Sequence, residues 1–239
     1  MPEDVPAAAK LAGDAFLDDR QTQMKNMGKE GYDMNKMALE SLPNYLTHPR
    51  CAVLKAVDNA TGEVAGFCNW ASFGFPQGEG PVLAGRLDPI EPKKKAEEVT
   101  EEKKGVETAL EDKVEDDPVK RLEAMEDKDL NDWMKEIMPE GTQCLYVVGL
   151  IVGPKFQGRA IGSALLRWGT KFCDEKGCFA WVHSSEPAWK MYEKSGFEVI
   201  RLLDVDLDEW APGPPPDEGP DAKWGHYELR YMKYFGKKT

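Results

Sequence analysis

Two places in this 239-residue chain carry residues whose types and spacing suit chemistry. The first is the run from Gly153 to Ser163, GPKFQGRAIGS. An apolar stretch precedes it and a helical pattern follows. The chain therefore leaves a strand, passes a turn with little side-chain bulk, and enters a helix at once. The first turn of a helix has N–H groups without intrahelical partners, and its dipole favours negative charge. Gly158, Ala160, Gly162 and Ser163 keep the surface low, and Lys155 and Arg159 add positive charge. Such a turn either holds an anion on its backbone or packs a helix closely on its strand. The second place is His183, at the end of a predicted strand and followed by Glu186. A histidine there can titrate near neutrality and serve as a general base, or simply pack.

The glycine run matches neither nucleotide fingerprint. It lacks the Gly-Lys-Ser/Thr ending of the phosphate loop and the three-glycine spacing of dinucleotide folds. Formal net charge is −12, which repels nucleic acid and anionic membranes and favours a basic or amine-bearing partner. Cys51, Cys68, Cys144, Cys173 and Cys178 are odd in number and contain no CxxC, so they read as reduced thiols of an intracellular protein. Three scattered histidines give no metal-ligand spacing, and no metal is expected. No membrane-length apolar segment or signal-peptide pattern is visible, which points to the cytoplasm or the nucleus.

The elements that must position these residues follow from patterning. Residues 4–17 form a first helix, and NKMALESL a second, stopped near Pro43. RCAVLKAVD and EVAGFCNWASFG flank NATG as a hairpin. DLNDWMKEIMPEG is helical, with Leu130, Trp133, Met134, Ile137 and Met138 on one stripe. QCLYVVGLIV is a strand covered on both faces. The helix after the glycine run buries Ile161, Ala164, Leu165, Trp168 and Phe172 and ends at Gly177. CFAWVH is a strand, and SSEPAWKMYEKSG a short helix capped by Ser185 and ended by Gly196. FEVIRLLDVDL and HYELRYMKY are the last strands. Strands and helices alternating around one sheet make the fold class α/β, and the chain reads as a single domain over residues 1–239.

One segment departs from this pattern. Glu91 to Lys128 holds 14 acidic and 9 basic residues among 38, with no aromatic side chain. Such a run buries too little apolar surface to offset its ordering entropy. Residues 77–128 are therefore expected to be a charged, partly disordered insertion: a tolerated surface segment, a lid over a substrate, or a docking arm.

The stretch LIVGPKFQGRAIGSALLRWG resembles the acetyl-CoA-binding motif of the GNAT superfamily of N-acetyltransferases. Gln157, Ala160 and Gly162 occupy its signature positions, with Ala160 where glycine is usual. Alanine preserves the site provided its φ is not positive. SEPAWKMYEKSGF resembles the family's closing motif, filled by Ser185, Ala188, Tyr192, Gly196 and Phe197, with Ser185 in place of Asn. The resemblance covers about Gln143 to Asp206.

It implies a mixed, mostly antiparallel sheet flanked by helices, with a splayed strand pair holding the cofactor. The family opens with a short strand, whereas Met1 here stands almost at the first helix, so that strand is expected to be absent. The implied activity is transfer of an acetyl group from acetyl-CoA to a primary amine, by direct attack in a ternary complex. The enzyme would be an acyltransferase acting on a small amine, a protein lysine or an N-terminus, as a monomer or homodimer. Backbone N–H groups of Arg159, Ile161, Gly162 and Ser163 would hold the pyrophosphate, with Gln157, Gly158, Ala160 and Ser185 completing the cofactor site. Leu150 and Val152 would bond the pantetheine, and an N–H such as that of Leu150 would polarise the thioester. Tyr192 would protonate the leaving thiolate, unless it is only a core ring; His183, Glu186 or water would be the base. Asp18 and Asp19 would draw in a cationic acceptor or stand solvated, and Trp70 and Phe73 would line its cleft or join the core. The alternative is a catalytically weak or inactive protein of the same fold that docks through the charged insertion.

Overall fold

The computed structural model describes residues 2–76, 79–81 and 117–237. Most of the charged run, residues 82–116, therefore lies outside the described residues. After a short 3-10 turn, Pro2–Asp4, come helices α1 (Val5–Phe16), α2 (Arg20–Lys25) and α3 (Met34–Thr47). Strands β1 (Cys51–Val57) and β2 (Val64–Phe73) form the hairpin. Helix α4 (Pro118–Ile137) precedes β3 (Cys144–Val152), α5 (Ile161–Lys176), β4 (Phe179–Ser184), α6 (Trp189–Lys194), β5 (Glu198–Asp206) and β6 (His226–Tyr234). Among the described residues no strand lies ahead of α1.

The strands form one six-stranded sheet in the order β1-β2-β3-β4-β6-β5. Every neighbouring pair is antiparallel except β3 with β4. The expected mixed, mostly antiparallel sheet flanked by helices is what forms. Helices α5 and α6 cover one face, where Leu165, Leu166 and Tyr192 meet Cys68, Trp70, Leu145, Val147 and Val182. On the opposite face α1 and α3 bury Phe67 and Ile151. Further along that face, α2 and α4 bury Val205, Tyr227 and Leu229. Trp133 of α4 packs there beside Trp181 and Tyr231.

Several boundaries differ from the sequence expectation, each for a local reason. Helix α3 does not stop at Pro43 but runs on through it to Thr47. Proline removes one N–H there, and the hydroxyl of Thr47 donates to the Pro43 carbonyl. Helix α2 was not expected; the Asp19 carboxylate caps it by accepting from the N–H and hydroxyl of Thr22. Helix α4 starts inside the charged run. Asp117 caps it, Pro118 opens it, and Val119 and Leu122 are buried despite the charges around them. On α5 the buried stripe is Gly162, Leu165, Leu166, Gly169, Thr170 and Cys173, and Ala164 is exposed. Helix α6 begins at Trp189 with Ala188 at its N-cap, so Ser185 does not cap it.

Candidate functional site at the parting of two strands

Strands β3 and β4 are paired only from Cys144↔Phe179 to Val147↔Val182. Beyond Val147, β3 keeps its antiparallel register with β2 alone, as far as Val152 opposite Gly66. One edge of β3 is thus free of β4 over its last five residues. At the same point the β2–β3 register slips: Asn69 lies opposite Gly149, but Trp70 lies opposite Val147. Val148 is the extra residue of a bulge, a device that re-aims a strand beside a site. Val148, Gly149 and Leu150 are only partly buried, whereas Val147 is fully buried.

The freed strand runs straight into the glycine-rich turn. Gly153 donates its N–H to the Ala65 carbonyl at 3.0 Å, which holds the strand end to β2. Gln157 Nε2 donates to the Val152 carbonyl at 3.2 Å, so the Gln157 side chain binds the strand rather than open space. Helix α5 then starts with Ala160 as N-cap and no side chain bonded to it. The first turn of α5 keeps the unpaired N–H groups and the positive end of the dipole.

The condition placed on Ala160, that its φ not be positive, is not met: φ is 58° and ψ 18°. Gly158 is also left-handed, with φ 74°. Successive residues of alternating handedness turn their N–H groups into a concavity that suits an anion, so the strain at Ala160 is compatible with that use. The two nearby cations are engaged elsewhere. Arg159 pairs with Asp58 at 2.9 Å, and Lys155 with Glu63 at 2.8 Å, both acids of the hairpin end. Gly162 serves packing: a Cβ there would lie 3.2 Å from Met191 Sδ and 3.5 Å from Leu150 Cδ2. Ser163 accepts from the Ser195 hydroxyl at 3.4 Å, which joins α5 to the end of α6. Ile161 is partly buried in the same cluster.

Tyr192 and His183 fall on opposite faces of the sheet. Tyr192 is buried on the α5 face, edge-on to Phe197 at 5.6 Å. Burial raises its hydroxyl well above the usual phenol value, helped by Cys68 and Tyr146, so it is protonated at neutral pH. His183 stacks on Tyr231 at 4.5 Å, and its Nε2 is buried without a partner. Burial lowers its pKa to about 4, against the pull of Asp129. His183 therefore does not titrate near neutrality; it is a neutral imidazole whose Nε2 meets no protein partner.

Other expected residues take structural places. Asp19 is 8% exposed and also accepts from the Tyr227 hydroxyl at 2.7 Å, so it is neither solvated nor a lure for cations. Trp70 is core, wedged against Gly169, and Phe73 packs beside Trp133 and Trp181. Ser185 follows β4, and its carbonyl accepts from Ala188 N–H at 3.2 Å. All five cysteines are free thiols.

Residues 103–197 match the model of the acetyltransferase (GNAT) family. That match takes in α4, β3, the glycine-rich turn, α5, β4 and α6. Among solved structures it is similar to arylalkylamine N-acetyltransferase 2 from Aedes aegypti, with TM-score 0.55 and 14% identity over 99% of this chain and 94% of that one. Putative arylalkylamine N-acetyltransferase 7 from the yellow fever mosquito is similar at TM-score 0.53 and 14% identity, over 97% of this chain and 83% of that one. A histone acetyltransferase HPA2 and related acetyltransferase from Corynebacterium glutamicum gives TM-score 0.50 and 14% identity, over 100% of this chain and 94% of that one. At these identities the likeness is one of fold. No curated protein matches the chain by sequence.

Beside the parted strands stands one residue that the sequence alone did not single out. Asn69 is 5% exposed, and its Oδ1 is buried with no partner. A single Asn in a hairpin strand carries no pattern in sequence; only its place opposite the bulge singles it out. No described helix is long and apolar enough to cross a membrane, and no described group of His, Cys, Asp and Glu gathers as a metal site.

Proposed function

We propose that the chain is an N-acetyltransferase that moves the acetyl group of acetyl-CoA onto a primary amine. The observation that carries this reading is the free edge of β3 beyond Val147, running into a turn of alternating handedness and the uncapped start of α5. The residues fit a pantetheine-linked pyrophosphate: an extended strand edge for the former, and bare N–H groups at a helix start for the latter. Leu150 and Val152 would take the pantetheine, and the backbone of Arg159, Ile161, Gly162 and Ser163 the pyrophosphate. The Lys155–Glu63 pair is exposed and therefore weak, so Lys155 can turn to an incoming anion, whereas Arg159 is held by an Asp58 side chain only 9% exposed.

Acetyl-CoA supplies an acetyl carbon already activated as a thioester. The amine nitrogen forms a bond to that carbon with its lone pair, the carbon–sulfur bond breaks, and the amine loses one proton while the sulfur gains one. Tyr192 is suited to give the proton to sulfur, because burial keeps its hydroxyl protonated. His183 is neutral and its Nε2 has no protein partner, so with its proton on Nδ1 it would accept the amine proton, directly or through water. Tyr192 and His183 sit on opposite faces, so in this reading the amine would approach from the side away from α5 and α6. The net charge of −12 favours a cationic acceptor, and the arylalkylamine enzymes of similar fold support an amine.

Calorimetric titration with acetyl-CoA, followed by thiol release across small amines, lysine peptides and N-terminal peptides, tests this reading. A chain that binds no acetyl-CoA refutes it. Tyr192→Phe is expected to lower kcat by about 10²-fold or more while leaving acetyl-CoA affinity nearly unchanged. A second reading, a GNAT-fold interaction protein without turnover, draws on the alanine held at positive φ where glycine is usual. Deleting residues 85–116 and finding the same captured partners would remove its docking element.

A further inference from the structure

Asn69 is an unusual residue to keep inside a strand. Its carboxamide oxygen is buried and meets no protein donor. A buried acceptor in that state costs desolvation that folding does not recover, so its retention asks for a use. Its position supplies one. Asn69 lies directly opposite Gly149, and residues directly opposite in an antiparallel pair point to the same face. A Cβ built on Gly149 would meet nothing within 4 Å, so no protein atom fills the side-chain position paired with Asn69. Gly149 is next to the bulged Val148, on the part of β3 that has left β4. The same face carries Phe67 and Ile151 under α1, and His183 stacked on Tyr231.

Gly149 therefore does two things at once. It leaves a volume where any other residue would place a side chain, and it does so at the position paired with a residue whose oxygen has no donor. The ligand that fits is a compact N–H donor. We propose that Asn69 and Gly149 form the seat of the acceptor nitrogen, with Asn69 Oδ1 accepting a hydrogen bond from the amine while the nitrogen lies over Gly149. Asn69 is then a substrate-binding residue on the face opposite Tyr192. The seat selects primary amines, because one N–H goes to Asn69, one proton leaves during attack, and the space over Gly149 is small. This inference rests on the acetyltransferase reading above.

The test uses the full chain with Asn69→Leu and Gly149→Val, each measured for thermal midpoint, acetyl-CoA affinity and the KM and kcat of the best amine of the panel. Leu has nearly the size of Asn and lacks its unpaired oxygen, so Asn69→Leu is expected to hold or raise the midpoint. Acetyl-CoA affinity is expected to stay within about twofold, while kcat/KM for the amine falls about tenfold or more, mostly through KM. Gly149→Val fills the volume with a strand-favouring residue and is expected to give the same loss, greater for bulkier amines. Amine kcat/KM within twofold of the parent in both variants, with acetyl-CoA still bound, overturns the seat. A parent chain that binds no acetyl-CoA overturns the underlying reading instead, and the two failures are told apart by the titration alone.

Discussion

Ala160 gives the sharpest test of the turn geometry, because the sign of one substitution depends on its φ. At φ 58° a Cβ crowds its own backbone, at a cost of about 1–2 kcal/mol. Ala160→Gly removes that cost and adds the extra unfolded-state freedom of glycine, about 0.4–1 kcal/mol in the other direction. The net expectation is a gain of about 0.5–1 kcal/mol. For a chain of this size that is a rise in thermal midpoint of about 1–4 °C. Scanning calorimetry of the parent and variant reads it directly, and urea unfolding gives the free energy. Ala160→Val should move the other way, since a β-branched residue tolerates positive φ worse than alanine. Acetyl-CoA affinity of Ala160→Gly should hold or improve, as the turn no longer works against strain. A fall in midpoint of about 2 °C or more for Ala160→Gly would refute the left-handed assignment, because glycine is unfavourable only where alanine sits comfortably.

Three other outcomes are expected. Gly169→Ala would place a Cβ 2.5 Å from Trp70 ring carbons, and it should destabilise by about 1–3 kcal/mol in urea titrations. Lys25 and Glu126 pair at 2.6 Å in a buried setting, with Gln21 also donating to Glu126. Lys25→Met should cost about 3–5 kcal/mol in chemical denaturation, and adding Glu126→Leu should recover much of it. The hydrogen bond that His226 donates to the Asp204 carboxylate raises the His226 pKa, so the folded form binds the proton more tightly than the unfolded chain. That contribution is fully present below about pH 6.5 and is lost as pH rises through the raised value. Urea midpoints of the parent and His226→Gln should therefore differ at pH 5.5 and converge by pH 8.5.

The strand, turn and helix around Gly158 were legible because backbone demands restrict which residues can stand there. The parting of β3 from β4 was reachable only through the family resemblance; a run of apolar residues reads the same whether or not a neighbour accompanies it. Helix α4 was half hidden by its charges, although Asp117-Pro118 is a helix-start pair and Val119, Leu122 and Trp133 lie at helical spacings. Helix α2 has six residues, too few for a period, and only its Asp19 cap announced it. For His183 titrating and packing stayed open in the sequence because pKa depends on burial, and stacking on Tyr231 brings together residues 48 positions apart. Asn69 was invisible for the same kind of reason: an orphaned oxygen exists only once its surroundings do.

The described residues on the two sides of 82–116 are joined by more than the chain between them. Strands β2 and β3 share a long register, Lys25 reaches across to Glu126, and Met24 packs with Val119 and Leu122. The backbone N–H of Lys29 also donates to Asp117 at the start of α4. Covalent continuity through that segment is thus a matter of effective concentration, and its length enters stability only logarithmically. Two separately expressed pieces, ending and beginning within 82–116, have the strand pairing and core contacts to reassemble as a two-chain protein.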